Sequence, residues 1–265
     1  MSLIYNATFD SQTRVLSLLD KAGNVISSCE VPSKELVDDI TKPLTFRTTQ
    51  DGSSVKLTKS GSPSGAFQTS RDGGNTWEDY TLDTAITLKT GDEVSFRAKT
   101  DRSAQIIRNY FQFKMTGKIE AWHNVMSLYR TNDFATYKSV VDYAFQWLFA
   151  ECASLTKAPV LPATTLADSC YWCMFYACLS LTKAPVLPAT TLAVDCYYDM
   201  FLNCYGLKEV RVSATTTAKD ALKDWLSHVS ATGDFYCDPN TTIFPTGTSG
   251  IPSGWTRHAL ADYPN

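Results

Sequence analysis

"CASLTKAPVLPATTLA" begins at Cys152 and "CLSLTKAPVLPATTLA" begins at Cys178, and the two segments differ at one of sixteen positions. The spacing of 26 residues recurs beyond them. It links Cys178 to Cys204, Phe149 to Phe175 and Phe201, Leu155 to Leu181 and Leu207, and Met174 to Met200. The pattern begins upstream in degraded form, with Asp142 matching Asp168 and Leu148 matching Met174. It fades downstream, where "LKEVRVSATTTAK" replaces "LTKAPVLPATTLA". A unit this short cannot bury its own apolar face, so units stack and set equivalent residues above one another. Cys152, Cys178 and Cys204 then form an inward column, and a column of thiols is packing material rather than chemistry.

Each unit reads as a helix followed by a strand. Leu166, Cys170, Met174, Phe175 and Cys178 fall at helical spacing on one face, and Tyr137–Cys152 has the same texture. Thr165 with Asp168, and Ser139 with Asp142, fit capping boxes. In "SLTKAPVLP", Leu155, Ala158 and Val160 match the inward spacing of a leucine-rich-repeat strand. Lys157, Pro159 and Leu161 then point outward, with Lys183, Pro185 and Leu187 as counterparts, followed by Glu209, Arg211 and Ser213. That outward row is the expected interaction surface. Pro159 and Pro185 shorten any strand they occupy, since proline donates no ladder bond. Ala218–Val229, with Leu222, Trp225 and Leu226 on one face, reads as a terminal capping helix.

Working outward, residues 1–43 read as a β-meander ("LIYNATF", "RVLSLLD", "VISSCEVP") and a linker or short helix over Ser33–Pro43. Residues 44–130 read as an all-β, Ig-like sandwich, with strand runs such as "LTFRTT", "SVKLTK", "EVSFRAK" and "YFQFKMTGKIEAW" broken by Gly/Asp/Ser turns. Residues 131–215 carry the repeats and 216–265 cap them. The expected class is therefore multidomain: a β-rich N-terminal half followed by a short α/β leucine-rich-repeat solenoid.

A net charge of −3 argues against nucleic acid, which calls for a basic face. No run approaches the length of a membrane helix. Of eight cysteines, Cys29 and Cys237 stand apart and six lie between Cys152 and Cys204, which reads as free packing thiols. "SRDGGNTW" (Ser70–Trp77) matches a sialidase-type Asp-box, a hairpin-turn device that carries no catalysis alone. Cys170-Tyr-Trp-Cys173 lacks a partner pair for zinc and the strand context of a redox motif. His123, His228 and His258 show no ligand spacing, and no glycine-rich loop is placed for phosphate. The expectation is a non-enzymatic protein without cofactor or metal.

"MFYACLSLTKAPVLPATTLA" (174–193), "CYYDMF" (196–201) and "SGIPSGW" (249–255) resemble the BspA-like leucine-rich-repeat family, found in surface proteins of gut Bacteroides and in phages infecting them. "RDGGNTWEDYTLDTAITLKTGDEVSFRAK" is similar to the β-domain that precedes such repeats. The resemblance implies an adhesin or interaction protein without catalytic residues. No leader is legible after Met1. The expectation is therefore a virion structural protein, a head or tail fibre or a capsid decoration. Its N-terminal region would meet capsid or other virion proteins, and its repeats would meet a host surface protein or glycan. Fibres are commonly homodimers or homotrimers. A secreted bacterial adhesin is the alternative, and a carbohydrate-active enzyme a further one.

Overall fold

The computed structural model describes residues 6–10, 15–30, 37–63, 65–102 and 109–263. The chain divides into two units, Met1–Val37 and Asp38–Asn265. In the first, β1 (Asn6–Asp10), β2 (Val15–Leu19) and β3 (Val25–Glu30) form an antiparallel meander in that order. Its β2–β3 turn is held by the Asp20 carboxylate, which accepts from the Ala22 and Asn24 amides at 2.8 and 2.9 Å. The expected linker over Ser33–Pro43 lies partly outside the described residues.

The second unit begins with β4 (Leu44–Thr48), β5 (Ser53–Ser60), β6 (Phe67–Ser70), β7 (Glu78–Tyr80), β8 (Ile86–Leu88), β9 (Glu93–Ala98), β10 (Tyr110–Thr116) and β11 (Ile119–Trp122). Alternation decides their faces. Val55 and Leu57 are buried while Lys56 and Thr58 are not, and each strand of this kind covers one side of a core. One sheet runs β10-β5-β8. The other runs β11-β4-β9-β6-β7 and continues beyond β11 into β12 (Leu155–Lys157). Phe46 and Phe96 of the second sheet meet Phe113 of the first edge-on, with centroids 4.6 and 5.2 Å apart. The β-rich reading of this half stands, with β6 as an addition.

β11 joins the two halves of the unit. It pairs antiparallel with β4 and parallel with β12. A single apolar cluster therefore runs from Leu44 to Trp255.

The repeats correct the expectation. No α-helix occurs among the described residues, so the helices over Tyr137–Cys152, Leu166–Cys178 and Ala218–Val229 do not form, and the α/β leucine-rich-repeat solenoid is overturned. Successive tight turns take their place, building four arcs over 142–151, 168–177, 194–203 and 219–228. Every fourth residue of an arc is left-handed, with φ between +51° and +64°. These are Tyr143, Trp147 and Glu151, then Ser169, Cys173 and Ala177, then Asp195, Asp199 and Asn203, then Asp220, Asp224 and His228. The same period of four produced the helix-like apolar spacing.

Hydrogen bonding explains why turns can win. Ala144, Gln146, Leu148, Ala150 and Cys152 donate backward within their own arc, to the residue three before. The intervening amides of Tyr143, Phe145, Trp147, Phe149 and Glu151 donate instead to the carbonyls of Asp168, Cys170, Trp172, Met174 and Tyr176 in the next arc, at 2.6 to 3.1 Å. The second arc repeats this on the third, from Ser169 to Val194 and from Ala177 to Leu202, and the third on the fourth. Asp168 and Asp142 are not caps either. The Asp142 carboxylate accepts from the Asp168 amide at 3.1 Å, again between tiers.

Inside the arcs, equivalent residues stack. Phe113, Phe149, Phe175 and Phe201 form a column with successive centroids 5.4, 5.4 and 5.5 Å apart and rings within 15° of parallel. The column of cysteines lies beside it. Cys152, Cys178 and Cys204 donate their thiols to the carbonyls of Phe113, Phe149 and Phe175 at 3.1, 3.1 and 3.0 Å. A second column runs Phe145, Tyr171, Tyr197 and Trp225, and Phe244 closes it at 6.0 Å. Such aromatic pairs add about 0.5–1.5 kcal/mol each beyond the area they bury.

The remaining strands complete the other side of each tier. β13 (Thr191–Leu192) pairs with β15 (Thr216–Thr217). β14 (Glu209–Arg211), β16 (Gly233–Cys237) and β17 (Trp255–Ala259) form a parallel sheet in the order β14-β16-β17.

A left-handed alanine separates the two conformations cleanly. Glycine in place of alanine costs a helix about 1 kcal/mol, yet relieves a residue held at positive φ by a similar amount. Ala177→Gly should therefore raise stability in urea unfolding by about 1 kcal/mol; a loss of that size would restore the helix.

Candidate functional site

Among the described residues, the strand side of the tiers is open between the two matching copies. β11 pairs with β12, and the amide of Val160 donates to the His123 carbonyl at 2.8 Å. Further along, Lys208 donates to Thr182, Ala184 to Glu209 and Leu187 to Arg211, and β14, β16 and β17 follow in register. Between the two near-identical copies, 154–160 and 180–186, no backbone hydrogen bond is made among the described residues. The arcs behind them stay bonded, so the tiers hold together at the back and open at the front.

Proline accounts for the position of the break. Pro159 and Pro185 bring no N–H to a ladder. In the third tier Arg211 stands at the equivalent position, and there β14 forms and pairs on both sides.

The break is a groove of about 520 Å³. Its floor is apolar, made by Ala158, Pro159, Ala184 and Pro185, with Val186 41% exposed at its edge. Its walls carry charge. The Lys157 ammonium lies 2.7 Å from the Asp38 carboxylate and 4.0 Å from the centre of the Trp122 ring. Lys183 pairs with Glu209 at 3.1 Å and remains largely exposed. Tyr263 closes one end, donating its hydroxyl to Glu209 at 2.9 Å beneath the Arg211 guanidinium, 4.6 Å above its ring. Burial and the neighbouring Glu209 carboxylate push the Tyr263 phenol up to about 12, so it stays a donor at neutral pH. Next to it, Tyr263 meets Tyr236 edge-on and Tyr236 stacks on His258, which lies 2.7 Å from Asp234.

The structure divides the eight residues expected on this surface. Lys157, Lys183, Glu209 and Arg211 reach it. Pro159 and Pro185 are buried and form the floor of the groove. Leu161 and Leu187 are a correction: they are 1% and 0% exposed and point into the core. Strict two-residue alternation projected them outward, but β12 ends at Lys157 and the proline segment after it turns Ala158 and Leu161 inward while Val160 stays partly exposed. Asp38, Trp122 and Tyr263 were missed. They come from distant parts of the chain, and no spacing connects them to the repeats.

The other candidates lie away from the groove, in turns and packed interiors. The Asp72 carboxylate is committed to its turn, accepting from the Asn75 and Thr76 amides and from the Thr76 and Ser70 hydroxyls. These bonds, the Thr76 hydroxyl foremost, hold it well below the usual carboxylate range. Cys170 and Cys173 are buried and Cys173 faces the Asp199 carboxylate at 4.0 Å. Burial pushes the Cys152, Cys196 and Cys204 thiols up to about 12, which keeps them protonated and unreactive. His123, buried, accepts the Asp39 amide through Nδ1. Among the described residues no group of three His, Cys, Asp or Glu is placed to hold a metal ion, and no helix is long and apolar enough to cross a membrane. Compared with protein families, curated proteins and solved structures, the chain matches none.

One partly buried acid on the arcs sets a pH dependence. Burial, then the charge of Asp224, pushes the Asp199 carboxyl up from 3.8 to about 6. The folded state therefore binds that proton more tightly than the unfolded chain, and this residue's contribution to stability falls as pH rises from about 4 to 6. Asp199→Asn should melt at the same temperature as the parent at pH 4 and at a higher one at pH 7. A difference independent of pH would show that Asp199 acts through something other than its charge.

Proposed function

We propose that this chain is a non-enzymatic recognition module that docks a partner in the groove between its two matching tiers. The observation that carries this reading is the missing ladder between residues 154–160 and 180–186, while the neighbouring strand pairs on either side are bonded. A stack stable enough to leave one seam open, with an apolar floor and lysines on its walls, is built to be covered. The setting we favour, on the resemblance of the repeats to BspA-like proteins, is a structural component of a phage particle that faces a host surface protein or glycan. The β1–β3 meander would attach to capsid or other virion proteins or to further copies of the chain as a homodimer or homotrimer. Val25 and Ile26, 59% and 40% exposed on β3, supply apolar surface for that contact.

Two measurements test this. The labelled full chain, applied to host cells and to glycan and protein arrays, should be retained, and Lys157→Glu with Lys183→Glu should abolish retention. Equal retention of parent and variant, or turnover of an arrayed substrate, would overturn the recognition reading. Mass spectrometry of purified particles should find the chain, and its absence there would remove the virion setting.

A further inference from the structure

Resting on that recognition reading, we propose that the occupant of the groove is an extended acidic peptide segment of a partner protein, laid along the open seam as an added strand. Thr182 and Ala184 direct their groups to the third tier, through Lys208 N–H to Thr182 C=O and Ala184 N–H to Glu209 C=O, each 2.9 Å. Between those two anchored groups, the N–H and C=O of Lys183 enter no backbone hydrogen bond among the described residues. β12 is likewise the last strand of its sheet, with no strand on its outer edge. Strand-spaced donors and acceptors of this kind are satisfied by another peptide backbone, which is how sheet edges recruit partner chains. Sugar hydroxyls have no such register.

The seam cannot satisfy itself. Pro185 has no N–H, and Pro159 repeats the lesion in the other copy, so drawing the two strands together would not rebuild a ladder. Both copies keep the proline, whereas the third tier replaces it with Arg211 and closes. The seam is thus written into the two copies.

Charge selects the kind of peptide. Of the charged residues that line the groove, Lys157 and Lys183 stand against Asp38, two cations to one carboxylate. Lys183, its side chain 66% exposed, is the cation most accessible to a ligand. Alternating side chains on an added strand would set apolar groups on the Ala158–Pro159 and Ala184–Pro185 floor and carboxylates toward the lysines.

The probe is an acetylated, amidated peptide of four Glu-Val repeats, titrated into the isotopically labelled full chain and followed by amide NMR. Shifts at Thr156–Ala158 and Thr182–Ala184 are expected, with binding at least tenfold weaker for Lys183→Glu and for a peptide N-methylated at alternate residues. Pro159→Val with Pro185→Val should also weaken binding, because the restored N–H groups let the seam close. Equal binding of the N-methylated peptide, or of a Lys-Val counterpart, would overturn the proposal. Polygalacturonate shifting the same amides while the peptide does not would overturn it too, yet leave the recognition reading intact. No shift with either probe, together with undiminished retention of the Lys157→Glu/Lys183→Glu variant on arrays, would sink both.

Discussion

The structure rests on a division of labour among amides in the arcs. One amide closes a tight turn within its own tier and the next reaches into the tier beyond, so about half of the arc hydrogen bonds hold neighbours together. A helix satisfies its amides internally and is indifferent to the register of whatever packs against it. These arcs are not indifferent. Trp147 must lie over Trp172 and Phe149 over Met174, or the bonds fail together. Left-handed residues at every fourth position carry a cost of about 1 kcal/mol each outside glycine. The inter-tier bonds and the aromatic columns offset it.

That constraint explains the repetition in the sequence. With backbone register imposed, side chains of equivalent residues fall at ring-stacking distance, and flat groups fill the interior with little waste. Phe149, Phe175 and Phe201 stack almost parallel for this reason. The cysteines fill the space beside them, each thiol finding a phenylalanine carbonyl one tier back. Because the arcs secure the stack, the strand side is free to vary. It is bonded where the third tier has Glu209–Arg211 and left open where both copies have proline. The groove follows from placing strength on one side and freedom on the other.

Much of this is legible in the residues. The period of 26, the columns of cysteine and phenylalanine and the strands of the β-rich half other than β6 follow from pattern alone. The helices do not, because Leu166, Cys170, Met174 and Cys178 recur every four residues in either conformation. The distinguishing sign lay in the residues between them. Asp195, Asp199 and Asn203 fall four apart in one arc and Asp220 and Asp224 four apart in the next, and Asp and Asn are the types that tolerate positive φ. At the groove, the charged half of the expected row is where the strand pattern put it. Leu161 and Leu187 are not, since alternation has no authority past the end of a three-residue strand. Asp38 and Tyr263 were out of reach, being placed by chain folding across 119 residues to Lys157 and 54 to Glu209.

The most direct test is to observe the hydrogen bonds themselves. Scalar couplings across hydrogen bonds, measured by NMR on the labelled protein, report which carbonyl each amide nitrogen meets. Trp147 is expected to couple to Trp172, Phe149 to Met174 and Phe175 to Met200. Couplings from these amides to carbonyls four residues earlier in the chain would mean helices, and the bonded tiers would not exist.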